Sequence, residues 1–265
     1  MAKPVVVITN VASPIGRACA KAFADRGARL ILSDADEPAG REFADVIADR
    51  ASEVSFVCGD HQNRLHVHNI IAEALETFNR IDVAICAPAV RPREDLLTAF
   101  HEISEDDLRS LGISSVWGAL VFNQAMIRQF LKQAIDMSDA SDVGVIVNIG
   151  FAESPAFGRP LDSAANAGLY GMSRALGAAY SSSGIRVNAV CASTVAGGQM
   201  SANEAQALRE ISPGRKLVDV ETVARLAAFL ASPDAFGING QVIDVDDGGL
   251  LALASVVKKF SKRRA

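Results

Sequence analysis

Short runs of β-branched and other apolar residues recur along the chain, separated by longer alanine-rich stretches with helical periodicity. Continuous apolar runs of this length are typical of strands that are buried on both faces of a parallel sheet. Parallel neighbours need crossover helices, and the alanine-rich stretches supply them. The sequence therefore predicts one doubly wound α/β domain with a seven-stranded parallel sheet. Strands are expected at Val5–Thr9, Arg29–Ser33, Val54–Cys58, Val83–Cys86, Val145–Ile149, Arg186–Val190 and Gln241–Val245.

Length and charge exclude several classes of protein. The 265 residues suit a single domain over residues 1–250 and a basic tail at 251–265. The net charge of -5 gives no reason to expect nucleic-acid binding. The chain has no apolar run of about 18 residues, and the apolar stretch at Val5 comes too early for a signal peptide. We therefore expect a cytoplasmic protein that makes no membrane contact.

Cysteines and histidines give no sign of a metal or disulfide site. The four cysteines lie far apart in apolar segments without a CxxC pair, and we expect all of them to be buried thiols in a reducing compartment. They are Cys19, Cys58, Cys86 and Cys191. Three histidines, His61, His66 and His68, follow the third strand. We expect them on a surface helix without a role as metal ligands.

The segment TNVASPIG, Thr9 to Gly16, joins the first predicted strand to the first predicted helix. A dinucleotide-binding turn uses three glycines here, for the tight turn, for the approach of the pyrophosphate, and for close helix packing. The third glycine is present as Gly16. Asn10 is expected to preserve the turn because asparagine tolerates positive φ. Pro14 suits a first helical position but removes an amide hydrogen, so we expect pyrophosphate binding to be weak or absent.

This segment resembles the TGxxxGIG turn of the short-chain dehydrogenase/reductase family, with Asn10 and Pro14 in place of the first two glycines. Two further segments are similar to that family, GIRVNAV at residues 184–190 and GQVIDVDDGG at residues 240–249. The resemblance extends from Val5 to about Gly249. It implies a Rossmann fold and a relationship to NAD(P)-dependent oxidoreductases.

The resemblance also implies a catalytic set of asparagine, serine, tyrosine and lysine, whose positions can be read in this chain. Ser115 stands in the asparagine position, and the serine is replaced by Gly150 or Phe151, which have no side-chain donor. Asp162 stands in the tyrosine position and Asn166 in the lysine position. The family's chemistry needs a phenol whose pKa is lowered by a neighbouring ammonium group. We therefore expect no catalytic residue at these positions.

Three residues match coenzyme contacts that the resemblance implies: Gly16, Asp34 and Asp60. Asp34 stands where an acid hydrogen-bonds the adenosine ribose and repels a 2′-phosphate, and Asp60 matches the family's adenine-side aspartate. Other loops differ, because the family's NNAG is CAPA at residues 86–89 and its proline-glycine after the sixth strand is Ala192-Ser193. We expect no cofactor, and NAD rather than NADP if either binds.

Tyr170 and Arg174 also have the YxxxR spacing, but they lie eight residues beyond the tyrosine and lysine positions. That offset is about 12 Å along a helix. We therefore expect Tyr170 to be a packed interface residue and not a catalytic one.

Subunits of the family pair through two long helices and the last strand, here residues 104–134, 161–183 and 241–246. These segments remain apolar and rich in small residues, so we expect assembly to be retained. The leading hypothesis is a non-catalytic subunit in a homo- or hetero-oligomer with an active paralogue, as among some hydroxyacyl-CoA dehydrogenases. One alternative is an NAD-dependent oxidoreductase of hydroxy or keto substrates with displaced catalytic residues. The other is a ligand-binding sensor.

Overall fold

A computed structural model of the chain describes residues 3–88, 100–108, 114–135, 143–151, 160–192, 206, 209–210 and 212–249. The strands are β1 Val5–Ile8, β2 Arg29–Asp34, β3 Glu53–Cys58, β4 Val83–Cys86, β5 Gly144–Phe151, β6 Ile185–Ala192 and β7 Val242–Val245. They form one seven-stranded parallel sheet in the order β3-β2-β1-β4-β5-β6-β7. The predicted fold class is confirmed, and each predicted strand end lies within two residues of the observed one.

Helices cross over between the strands. They are α1 Pro14–Ala24, α2 Glu37–Ala48, α3 Arg64–Phe78, α4 Glu105–Asp107, α5 Ser114–Ala134, α6 Pro160–Tyr180 and α7 Val220–Leu230. Within the helix predicted over 104–134, the structure describes helix at Glu105–Asp107 and at Ser114–Ala134, and residues 109–113 lie outside the described part of the chain. The prediction for 161–183 holds, since α6 is followed by a 3-10 turn at Ser181–Ser183.

Two apolar layers cover the faces of the sheet. Helices α1, α2 and α7 pack on one face, with Phe23, Phe43 and Val223 in its core. Helices α3, α5 and α6 pack on the other, where Ile70, Phe122 and Leu169 are buried. Because both faces are covered, β1 and β4 are apolar along their whole length, whereas β5 and β6 also bury the polar residues Asn148, Arg186 and Asn188.

The strand order reverses between β1 and β4, which are hydrogen-bonded neighbours although β2 and β3 separate them in the chain. Ligands of doubly wound sheets bind at the carboxyl ends of the strands beside such a switch point. The residues that follow β1, β2, β3, β4 and β5 therefore form the candidate site.

The four cysteines differ in their exposure. Cys19, Cys86 and Cys191 are buried as expected, but the prediction is wrong for Cys58, which is exposed at the end of the edge strand β3.

Among the helices that the structure describes, none is long and apolar enough to cross a membrane.

Gly16 offers a direct test of how α1 docks on the sheet. A Cβ atom at this position would overlap the carbonyl oxygen of Asn10, so Gly16→Ala forces the helix away from the turn. We expect the free energy of unfolding to fall by about 1–3 kcal/mol. Urea unfolding followed by circular dichroism measures the change. Gly249→Ala is the matched control because a Cβ there meets no atom within 4 Å, and an equal loss in both variants would contradict the packing role of Gly16.

Candidate functional site

The turn between β1 and α1 is tied to the end of β4. Asn10 has a φ of 53°, which confirms that asparagine takes the left-handed conformation expected there. Its side-chain amide Nδ2 donates to the carbonyl oxygen of Ala87 at 2.6 Å. The amide of Ala87 in turn donates to Thr9 Oγ1 at 3.2 Å. Two side chains of the turn therefore hold the backbone that leaves β4.

The backbone amides of the same turn already have acceptors within the protein. Val11 N donates to the Ser33 carbonyl oxygen at 3.2 Å, and Ala12 N donates to Asp34 Oδ2 at 2.7 Å. Ser13 N donates to the Asn10 carbonyl oxygen at 3.1 Å. These bonds tie the turn to itself and to the end of β2.

The side chain of Ser13, the residue that precedes α1, caps the first turn of this helix. Ser13 Oγ accepts from Gly16 N at 3.0 Å, and Pro14, at the first helical position, has no amide hydrogen. A diphosphate at a helix N-terminus needs several free amide donors. Pro14 and this cap take two donors away from the start of α1, so the residues of this turn do not fit the diphosphate of a dinucleotide.

Asp34 and Asp60 follow the neighbouring strands β2 and β3 at the same edge of the sheet. Both oxygens of Asp34 accept backbone amides, Oδ2 from Ala12 and Oδ1 from Asp36 at 2.9 Å. Asp60 Oδ1 accepts from Gln62 N at 2.8 Å. The structure thus brings Gly16, Asp34 and Asp60 to one crevice, but each carboxylate bonds the chain's own loops.

His61 is buried between this crevice and α5. A Cβ atom at Gly118 would collide with its imidazole ring, so the glycine allows α5 to approach closely. The prediction of a surface helix is wrong for His61, which precedes α3, whereas His66 and His68 lie on that helix. Burial lowers the pKa of His61, and the charges of Asp60 and Asp34 oppose that shift only in part. Within the described residues, no group of three or more histidine, cysteine or acidic side chains could hold a metal ion.

At the end of β5, two side chains of α6 hold the backbone of Phe151. Asn166 Oδ1 accepts from Phe151 N at 2.9 Å, and the Tyr170 hydroxyl donates to the Phe151 carbonyl oxygen at 2.7 Å. Asn166 Nδ2 also donates to the Asp162 carbonyl oxygen at 2.8 Å. A side chain at Gly150 would collide with both Asn166 and Tyr170, so this approach requires glycine. We call these groups the β5 clamp: Gly150, Phe151, Asn166 and Tyr170.

Tyr170 is packed as predicted: it is 4% exposed, and it packs against the end of β5 within the chain. The sequence did carry a signal for it, since a glycine at the end of a strand often marks the close approach of another element. Asp162 lies partly buried in the first turn of α6. Ser115 lies in the first turn of α5, and its side chain lies outside the described part of the structure.

The end of β4 offers no activated thiol. Cys86 is buried there, and burial raises its pKa to about 12 although a hydrogen bond from Thr9 opposes the shift. A thiol with such a pKa stays protonated near neutral pH and is a poor nucleophile.

A doubly wound parallel sheet with an α1 turn at its switch point is the architecture of dinucleotide-binding oxidoreductases. Residues 11–250 match the family model described as enoyl-(acyl carrier protein) reductase. The chain belongs to the short-chain dehydrogenase/reductase family, and the resemblance noted in the sequence is confirmed.

Several relatives align along nearly the whole chain. An uncharacterized oxidoreductase of Thermotoga maritima is 30% identical over 256 residues, covering 92% of this chain and 96% of the relative. A meso-2,3-butanediol dehydrogenase of Serratia marcescens is 31% identical over 252 residues, covering 92% and 93%. The BbsD subunit of a hydroxy(phenyl)methylsuccinyl-CoA dehydrogenase of Thauera aromatica is 27% identical over 248 residues, covering 92% and 95%.

A solved structure shares the fold. The 3-ketoacyl-(acyl-carrier-protein) reductase of Brucella melitensis, crystallised with NADH, superimposes with a TM-score of 0.80 at 22% sequence identity. The match covers 93% of this chain and 98% of the reductase.

The buried His61 gives the protein a pH dependence of known sign. Its pKa is lowered on folding, so below the ordinary imidazole pKa of about 6.5 the unfolded state binds the proton first. Stability from this group is fully present above that pH and is lost as the pH falls below it. We expect His61→Gln to flatten the dependence of unfolding free energy on pH below about 6.5.

Urea unfolding at a series of pH values measures this slope. His68→Gln is the control because His68 is exposed on α3. An unchanged slope in His61→Gln, or an equal change in both variants, would contradict the assignment.

Proposed function

We propose that this chain is a catalytically degenerate member of the short-chain dehydrogenase/reductase family that serves as the non-catalytic subunit of an oxidoreductase complex. Its partner would be an active paralogue of the same family, which the subunit stabilises or positions. Neither a catalytic residue of its own nor a bound coenzyme is part of this proposal.

The β5 clamp carries the proposal. In the family, the helix corresponding to α6 must present a tyrosine hydroxyl to the substrate and a lysine ammonium group that lowers the pKa of that hydroxyl. Here Asp162 and Asn166 stand at those positions, and Asn166 bonds both the Phe151 amide and the Asp162 carbonyl. An asparagine side chain has no charge with which to lower the pKa of a phenol. The polar groups that face this end of β5 therefore support the strand and not a reaction.

The coenzyme side of the crevice supports the same proposal. Pro14 and the capped first turn of α1 remove donors for a diphosphate, and the carboxylate of Asp34 accepts two backbone amides. Residual binding through Gly16, Asp34 and Asp60 would favour NAD over NADP, because Asp34 repels a 2′-phosphate. We infer no cofactor requirement.

Helix α5 supports the assembly part of the proposal. Four large apolar side chains are exposed along one stripe of this helix and its end: Trp117, Leu120, Leu131 and Ile135. Their successive spacings of three, eleven and four residues are each close to a whole number of helical turns, so they lie on one side of the helix. On α6, Ala164, Ala167, Gly171, Ala175 and Ala178 are exposed and small enough for another helix to approach closely. Exposed apolar stripes of this extent are typical of subunit interfaces.

The charges of these two helices favour a partner that differs from the chain itself. Arg128, Lys132 and Arg174 are exposed, and none of them forms an ion pair with another residue that the structure describes. Helix α5 contains no acidic residue. Two copies of this surface would bring like charges together, whereas a homologue with carboxylates on its matching helices would pair with them.

Two other observations agree with this role. The relative from Thauera aromatica is itself a subunit of a dehydrogenase for an acyl-CoA compound, which makes hydroxyacyl-CoA chemistry the substrate class we infer for the complex. None of the four cysteines forms a disulfide, which agrees with a protein of the reducing cytoplasm.

A second candidate function is an NAD-dependent oxidoreductase with displaced catalytic residues. It is favoured by the named dehydrogenases among the relatives and by the Tyr170 hydroxyl at the end of β5. In this alternative, Tyr170 would have to release the Phe151 carbonyl to reach a substrate. A ligand-binding sensor is a third reading, distinguished by tight ligand binding without turnover.

Purification of the chain from cells that express it at its native level, followed by mass spectrometry of the proteins that co-purify, tests the assembly. A separate assay measures NAD reduction by the isolated chain with hydroxyacyl-CoA substrates. We expect a short-chain dehydrogenase/reductase homologue to co-purify in stoichiometric amount, and the isolated chain to show no turnover. Gly171→Arg should abolish the association without unfolding the chain, because Gly171 is exposed and a Cβ atom there meets no atom within 4 Å.

Ala72→Arg, on the exposed side of α3, is the matched control and should keep the partner. Recovery of a lone homo-oligomer that turns over substrate would refute the proposal. Loss of the partner in both variants would refute the assignment of the interface.

A further inference from the structure

The side chain of Asn10 crosses the crevice at the switch point of the sheet. Its backbone lies at the end of β1, and its Nδ2 donates to the Ala87 carbonyl oxygen beyond the end of β4 at 2.6 Å. The same residue accepts from Ser13 N through its carbonyl oxygen, 3.1 Å away. Asn10 thus connects the carboxyl ends of two central strands and the loop that begins α1.

This connection stands where a doubly wound sheet receives its ligand. The crevice between the two strands of the switch point is the place where dinucleotides of this fold lie, with the diphosphate at the N-terminus of α1. The bond from the Asn10 amide to Ala87 lies at this point, and the ring of Pro14 stands beside it and offers no amide hydrogen to a diphosphate.

We propose that the Asn10 side chain is a built-in substitute for the coenzyme: it fills the ligand's place at the switch point and fixes the β1–α1 turn to β4. This turn then fails to fit a diphosphate because of two residues, Asn10 and Pro14, and not because of the whole crevice. The inference rests on the proposed function and deepens it, because it explains how the subunit stays ordered without coenzyme.

The backbone around Asn10 supports this assignment. Position 10 has positive φ, which glycine adopts without cost, so glycine at this place would keep the turn and remove only the bridge. The amides of Val11 and Ala12 bond the end of β2 and do not depend on the Asn10 side chain. Removal of the bridge therefore opens the crevice while the rest of the turn stays attached to the sheet.

The test compares wild-type protein with Asn10→Gly/Pro14→Gly, using NADH as the probe. We expect the double variant to bind NADH at least about tenfold more tightly than wild type, measured by calorimetric titration. Thermal unfolding should show a lower midpoint for the ligand-free variant and a rise with NADH that wild type lacks. The single variants Asn10→Gly and Pro14→Gly provide the same comparison if the double variant fails to fold.

Asn79→Gly is the matched control. Asn79 also has positive φ, 61°, but it ends α3 at the exposed surface before β4 begins, so it lies at the opposite edge of the sheet from the crevice. It should leave NADH binding unchanged. Equal NADH affinity in wild type and in the crevice variants would overturn the inference, as would variants that fold but gain no binding. Substrate turnover is scored separately, because activity of the wild-type chain would refute the proposed function while leaving this comparison of affinities intact.

Discussion

Backbone groups at the carboxyl ends of a parallel sheet must find hydrogen-bond partners, and here the chain supplies those partners from its own side chains. Asn10 holds Ala87 after β4, Asp34 holds Ala12 after β1, and Asn166 with Tyr170 holds Phe151 at the end of β5. Buried polar groups that lack partners cost about 1–3 kcal/mol each. In this protein the edge where ligands of the fold bind is stabilised without a ligand, and the other inferences depend on that fact.

This constraint links the fold to the proposed role. A catalytic pocket needs polar groups that stay free until substrate arrives, and an assembly subunit needs only a rigid frame and exposed contact surfaces. The β5 clamp stiffens the strand next to α6, while α5 and α6 keep exposed apolar and small residues on their outer sides. The membership in the short-chain dehydrogenase/reductase family gives the frame, and we propose that the changes at its strand ends altered the role.

The sequence predicted the frame well because the frame follows from periodicity. Apolar runs located all the strands, and the glycine pattern identified Gly16 and the positive φ of Asn10. The sequence did not predict the features that depend on contacts between distant elements. The Tyr170 bond to Phe151 requires that Gly150 lack a side chain, and the burial of His61 requires Gly118 on another helix. Cys58 was misjudged because an apolar run does not reveal that its strand lies at the edge.

The crystal structure of protein crystallised with saturating NADH is the most direct test of whether the chain's own side chains close the ligand edge of the sheet. We expect that the Asn10 amide still bonds Ala87, that Tyr170 still bonds the Phe151 carbonyl, and that the crevice holds no ordered nicotinamide. An ordered nicotinamide ring, with the Tyr170 hydroxyl released from Phe151 and directed at it, would contradict the account.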